Sequence, residues 1–129
     1  MIEKLRKDRT ERQKWIKKLD SIVTEICQIR DKKKCVMCGS PATHVGHLFR
    51  RGLWNTRWDL QNCHLQCDPH NSLHETNRTP YEDWFKSNFI YAHALEYLEK
   101  ESQIETHFKV FHYKVMYEEL KLVRDAYKK

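Results

Sequence analysis

The apolar positions of this chain form helical stripes at both ends and almost vanish in the middle. Between residues 5 and 30, Trp15, Ile16, Leu19, Ile22, Val23, Ile26 and Ile29 recur at spacings of three and four, with Lys and Arg opposite. That pattern predicts one long amphipathic helix. Ahead of Trp15 only Ile2 and Leu5 are apolar, so this end is expected to project or to be held by a partner. From Thr79 to about Lys100, the positions Trp84, Phe85, Ile90, Leu95 and Leu98 predict a second helix, opened by the capping box Thr79-Pro-Tyr-Glu82. Ser102-Gln-Ile-Glu105 reads as another capping box. It would open a last helix with Ile104, Phe108, Phe111, Val115, Leu122 and Val123 on its apolar side. The middle of the chain behaves differently. Thr43 to Phe49 and Asn62 to Gln66 are short and suit strands. Residues 50–61 read as a polar loop, and Asp68-Pro69 opens a helix through about Thr76.

The apolar-poor middle needs something other than a core to hold it, and its cysteines supply a candidate. Cys35 and Cys38 are separated by two residues and followed by Gly39, and Cys67 and His70 repeat that spacing. Two such knuckles give the four N or S ligands of a tetrahedral structural zinc, and a glycine beside the second Cys eases the turn that aims both thiolates at one ion. Metal closure would then be part of the folding free energy of residues 31–78. A rival set uses Cys63 and His64, since Cys63-x-x-x-Cys67 could supply two ligands. The repeated spacing favours Cys67 and His70 and leaves Cys63 as a small buried residue of the second strand. Cys27 lies within the first helix and reads as packing.

Composition narrows the class. With five Cys and a highly charged N-terminus that does not resemble a signal peptide, thiols and metal are expected rather than disulfides. Gly and Pro number three each, too few for an all-β chain, and no apolar run is long enough for a membrane span. The formal net charge is +6. Residues 1–34 carry twelve Lys and Arg against six Asp and Glu, while residues 35–129 carry twelve of each. A basic arm of this kind meets a polyanion, usually nucleic acid, or is simply a solvated helix face. The expected organisation is a basic helical arm at 1–34, a zinc-bound core at 35–78 and a helical extension packing on it at 79–129.

Between and beside the knuckles stand residues that a pure zinc knuckle does not require: His44, Gly46, His47, Asn62 and Asn71. Here the chain resembles the treble-clef ββα-metal fold of HNH nucleases, and more closely the NinG/Rap family of phage recombination nucleases. The resemblance rests on Cys35-x-x-Cys38-Gly39, Gly46-His47, Arg50-Arg51, Thr56-Arg57-Trp58-Asp59, Asn62-Cys-His64, Gln66-Cys67 and Asn71. It continues more loosely through Asn77 and Tyr81, and says little about the first thirty residues. It implies an α+β fold with a small zinc-bound treble-clef core, a long N-terminal helix and C-terminal helices. It also implies His47 as general base, Asn71 as ligand of a catalytic divalent ion, and Asn62 as brace of the loop that holds His47. His44 falls where phage endonuclease VII places an Asp, so it would ligate the metal or orient the site. Two departures stand out: many HNH enzymes have His where this chain has Asn71, and the second knuckle ends in His70 where the family usually has Cys.

The chemistry agrees with that expectation. Hydrolysis of a phosphodiester needs an activated water and a cation at the leaving oxygen; a neutral imidazole can take the water proton, and one Mg²⁺ or Mn²⁺ can supply the charge. Arg50, Arg51 and Arg57 can clamp phosphates with their planar forks. Trp54 and Trp58 could stack on unpaired bases but suit packing better, and His64, His74 and Glu75 are secondary candidates. The expected function is a metal-dependent DNA endonuclease acting on branched recombination intermediates, encoded by a phage or prophage and working in the cytoplasm of the host cell. A non-catalytic zinc-containing DNA-binding accessory factor is the alternative, and a protein-interaction zinc domain a distant third. A homodimer through the stripe from Trp15 to Ile29, about 21 Å long at the helical rise, would suit a substrate with two strands to cut.

Overall fold

A computed structural model of the chain describes residues 2–129. The described residues form six helices and one two-stranded sheet, a mixed α+β arrangement: α1 (Ile2–Arg30), β1 (His44–His47), α2 (Trp54–Arg57), β2 (Cys63–Gln66), α3 (Asp68–Thr76), α4 (Thr79–Ser87), α5 (Ala94–Ser102) and α6 (Val110–Lys128). They divide into two compact units. One comprises the chain up to Ile26 together with His107–Lys129, and the other is Cys27–Thr106.

The central unit is built on an antiparallel hairpin in which His44 faces Gln66, Gly46 faces His64 and His47 faces Cys63. All four residues of β2 are buried, although three of them carry polar or thiol groups. Their backbone is held from outside the sheet. Asp31 Oδ2 accepts from the Leu65 amide at 3.0 Å, Arg30 donates to the carbonyls of Leu60 and Cys63, and Arg30 and Asp31 pair with each other. The core proper joins Leu48 and Phe49, just past β1, to Tyr81, Phe85, Ala94 and Leu98 of α4 and α5. The shortage of apolar residues in 31–78 is thus met by α4 and α5 as well as by the cysteine cluster.

Several boundaries differ from the sequence pattern for local reasons. The helix expected over residues 79–100 is two helices, because the Asn88 carboxamide accepts from the amides of Ile90 and Tyr91 and turns the chain. Ile90 is consequently exposed instead of facing the core. Neither capping box forms. Thr79 is the first residue of α4 behind Arg78, and the Ser102 hydroxyl turns back to the Glu99 carbonyl inside α5. The last helix starts at Val110, where His112 Nδ1 accepts from the Lys109 amide. The polar loop at 50–61 contains the short helix α2, and Thr56, Arg57 and Trp58 are buried within it.

In the helical unit, α6 buries Tyr113 and Leu120 and leaves Phe111, Val115 and Leu122 exposed, the reverse of the face expected from residue type. Tyrosine hydroxyls explain the choice: Tyr113 accepts from Arg12 Nε at 3.0 Å, so α1 can take an aromatic face that ends in a polar group. Trp15 meets Tyr117 edge to face at 5.7 Å, and Glu25 pairs with Arg124 and Lys128. Leu19, Ile22, Val23 and Ile26 of the α1 stripe are buried within the single chain, so the face on which self-association is expected is largely covered. No helix of the described residues is long and apolar enough to cross a membrane.

A candidate metal centre and an adjoining cleft

The first knuckle is shaped by its glycine. Gly39 adopts φ +77°, the left-handed region that residues with a Cβ avoid. Its amide donates to the Cys35 carbonyl at 2.8 Å, and the Cys35 amide donates to the Ser40 carbonyl at 2.7 Å, closing the turn. The Val36 amide ties this turn to the Leu65 carbonyl of β2. The second knuckle sits where β2 runs into α3: Cys67 is the residue before the helix, Pro69 occupies its first turn, and His70 projects from the same turn.

The ligand atoms of Cys35, Cys38, Cys67 and His70 all lie within 4.8 Å of one another. Cys38 Sγ is 3.7 Å from Cys67 Sγ, and His70 Nδ1 is 3.5 Å from Cys35 Sγ and 3.2 Å from Cys67 Sγ. A tetrahedral zinc with bonds of about 2.3 Å to sulfur and about 2.0 Å to nitrogen sets sulfurs about 3.8 Å apart and sulfur and nitrogen about 3.5 Å apart. These three distances lie close to those values, and the four residues form a Cys₃His cluster that can hold a metal ion such as zinc. Ser40, 3.3 Å from Cys38 Sγ, together with the neighbouring cysteines, brings the Cys38 thiol down to about 6. A thiolate, the form that binds metal, is then present at neutral pH. Cys63 stands outside the cluster, buried, with Sγ 3.4 Å from the Arg57 carbonyl. Burial pushes the Cys27 thiol up to about 12, which leaves it protonated and inert.

Next to the cluster, β1 and α3 line a cleft of about 420 Å³ together with the loop after β1. Its walls carry His44, His47, Arg50, Arg51, Asn71, His74 and Glu75. Asn71 enters it because it directly follows the last cluster residue on α3, and its amide donates to the Cys67 carbonyl at 2.9 Å. His74, one turn further, has Nε2 2.8 Å from the His47 carbonyl and 3.2 Å from that of Leu48. Carbonyls accept only, so Nε2 carries the proton. Nδ1 is then the lone-pair nitrogen, and it is buried with no hydrogen-bond partner among the described residues. Asn62, fully buried, bonds both the amide and the carbonyl of Phe49 and the carbonyl of Thr56, which fixes the loop that leaves His47. His44 Nε2 pairs with the Asp68 carboxylate at 2.5 Å, both side chains being exposed. Gly46 lies close under the Gln66 side chain: a Cβ there would come within 2.6 Å of Gln66 Cδ, so the carboxamide would have to move.

Arg57 departs from the expected clamp. It is buried, its guanidinium lies 4.8 Å from the Trp54 ring and 5.5 Å from the Trp58 ring, and it donates to the Arg51 carbonyl. Arg50 and Arg51 reach the cleft, whereas Arg57 and the two tryptophans build the loop beneath them.

His64, a candidate ligand or catalytic residue from the sequence, is instead part of a buried group with Tyr81 that supports β1 from behind. Tyr81 donates to the Gly46 carbonyl at 3.0 Å, so its oxygen accepts from His64 Nδ1 at 3.0 Å. Trp84, Phe85 and Tyr91 surround the imidazole. Burial, reinforced by the Arg30 charge, lowers His64 to about 2 from its ordinary 6.5. An unfolded chain takes up this proton as the pH falls through about 6.5, and the folded chain does not until near 2. The contribution of neutral His64 is therefore complete above pH 6.5 and declines below it by about 1.4 kcal/mol per pH unit. Urea unfolding of His64→Leu protein is expected to show a shallower loss of stability from about pH 6.5 to 4.5 than wild type. Equal slopes would mean that His64 titrates normally.

Taken together, these features define a small mixed α+β protein with a Cys₃His cluster suited to a metal ion and a cleft lined with imidazole, amide and guanidinium groups beside it. The family model described as Bacteriophage Lambda NinG protein matches residues 2–129, and the chain belongs to this phage family, which is related to recombination. No curated protein and no solved structure matches the chain.

Proposed function

We propose that the chain is a metal-dependent DNA endonuclease of the HNH, or ββα-metal, type, hydrolysing phosphodiester bonds in branched recombination intermediates. The observation that carries this reading is the convergence of His47, Asn71, His74, Arg50 and Arg51 on one cleft beside the cysteine cluster. A binding module needs the cations, but it has no use for an imidazole at a strand end that shares a cleft with an amide and a second imidazole.

In this reading zinc occupies the cysteine cluster and ties the Cys35–Cys38 turn to the start of α3, which steadies the helix that carries Asn71 into the cleft shared with His47. His47 accepts the proton of the attacking water. Arg50 and Arg51 hold the phosphate that carries the scissile bond, with charge-assisted bonds that persist as negative charge builds. Asn62 keeps His47 at its height by fixing the next residues of the loop. A divalent ion fits the donor set on the α3 side: the Asn71 amide oxygen, the Glu75 carboxylate, and His74, whose tautomer leaves a lone pair at Nδ1. When bound, Mg²⁺ or Mn²⁺ supplies positive charge at the phosphate and the leaving oxygen. His44 orients the cleft from its edge, with Nε2 given to Asp68 and its other nitrogen available to the ion.

Asn71→Ala protein tests the assignment of the ion to α3. It is expected to keep its zinc and to need at least about tenfold more Mg²⁺ for half-maximal cleavage of labelled DNA, the range seen when metal-site partners are removed. An unchanged Mg²⁺ requirement would take Asn71 out of the site.

A further inference from the structure

The excess charge of the chain is not shared between its two units. The chain up to Ile26 and His107–Lys129 together carry fourteen Lys and Arg against eight Asp and Glu; Cys27–Thr106, with the cluster and the cleft, carries ten of each. The +6 of the protein is therefore the charge of the α1/α6 unit alone. Half of the excess comes from α6 and its flanks.

The cations of this unit have a structured seat. Around the Trp15–Tyr117 pair, Lys18 Nζ lies 4.8 Å from the Trp15 centroid and 5.6 Å from that of Tyr117. Lys114 Nζ lies 5.9 Å from Trp15, and Lys121 Nζ 6.0 Å from Tyr117. Three ammonium groups from two helices thus converge on one aromatic pair. Attraction to the ring faces holds them there against their mutual repulsion. Lys18 and Lys114 are exposed and make no ion pair among the described residues, and Lys121 has only Glu118 at 3.7 Å. Arg124 and Lys128, by contrast, are occupied by Glu25. Lys7, Lys14 and Lys18 fall on one face of α1, which extends the row by about 16 Å along a helix whose residues 2–10 are exposed throughout. A polyanion of regular charge spacing relieves the repulsion of such a row.

We infer that the α1/α6 unit is a second DNA-binding site, which grips the phosphate backbone of a duplex arm through Lys18, Lys114 and Lys121 around Trp15 and Tyr117. It supplies most of the affinity, and the electroneutral unit with the cleft supplies position and chemistry. The inference rests on DNA being the substrate, but not on cleavage.

The test is binding of a labelled duplex in EDTA, by fluorescence anisotropy, from about 50 to 200 mM salt. Each phosphate contact contributes about 0.9 to the slope of log K against log salt. The full-length Lys18→Ala/Lys114→Ala/Lys121→Ala variant is expected to lose two to three such contacts, a fall of about 2 to 3 in slope, and at least tenfold in affinity at the lowest salt. Lys86→Ala/Lys100→Ala protein, altered on the other unit, should keep the wild-type slope. Equal slopes for the triple variant and wild type, or an equal fall in the control, would overturn the inference. A protein that binds DNA through these lysines yet cuts none would sink the endonuclease reading and leave this one standing.

Discussion

Cys67→Ala protein is expected to come off purification without stoichiometric zinc and with the Cys27–Thr106 unit unfolded, whereas Cys63→Ala protein keeps both metal and fold. The two cysteines are four residues apart and both buried, so composition and burial do not separate them. Geometry does. Cys67 Sγ is within 3.7 Å of Cys38 Sγ and 3.2 Å of His70 Nδ1, while Cys63 lies outside the cluster, with Sγ 3.4 Å from the Arg57 carbonyl. Structural zinc contributes about 10–16 kcal/mol to small zinc-dependent folds at neutral pH, against a total stability of about 5–15 kcal/mol for a typical domain. Loss of one ligand therefore exceeds what the small core of Leu48, Phe49, Tyr81, Phe85, Ala94 and Leu98 can carry. Cys63→Ala removes one sulfur from a packed strand and should cost about 1–2 kcal/mol. Metal analysis and circular dichroism of the two variants side by side check this. Equal metal loss in both would mean that the metal is held by a different set.

His47→Ala is expected to lower the rate of DNA cleavage at least about a hundredfold, the low end of what a general base contributes, while DNA affinity and zinc content stay at wild-type levels. The side chain is half-buried and lines the cleft at the end of β1. Removing Asn62 would also reduce cleavage. That loss would come with a displaced loop, because its carboxamide joins Phe49 to Thr56. The accessory-factor reading predicts the opposite for His47→Ala: no measurable consequence.

What the sequence disclosed, and what it withheld, follows physical lines. The two knuckles were legible because metal ligands must recur at fixed short spacing around a turn, and Gly39 marked that turn. The start of α3 was legible through Asp68-Pro69, although the position before the helix is Cys67 itself and Asp68 turns to His44. The break after Ser87 was not, since it depends on one Asn88 side chain turning to amides two and three residues on. The buried face of α6 was hidden because phenol rings with a partner for the hydroxyl outcompete Phe and Val, and that partner, Arg12, is 101 residues away. For the same reason no local pattern distinguishes Arg57, packed between tryptophans, from Arg50 and Arg51 at the cleft. Polar residues buried through distant partners carry no periodicity to read. His64, Gln66 and Asn62 are all of this kind.

Metal-dependent cutting of DNA in the cleft between β1 and α3 is the activity proposed for this chain. The measurement that bears on it most directly is cleavage of labelled four-way, duplex and single-stranded DNA by zinc-loaded wild-type and His47→Ala proteins, with Mg²⁺, Mn²⁺ or EDTA. Wild type is expected to cleave with either ion, most strongly on the four-way substrate, and not at all in EDTA, and His47→Ala protein at least about a hundredfold less. Intact DNA in every wild-type lane, or equal cleavage by the two proteins, would contradict the proposed activity.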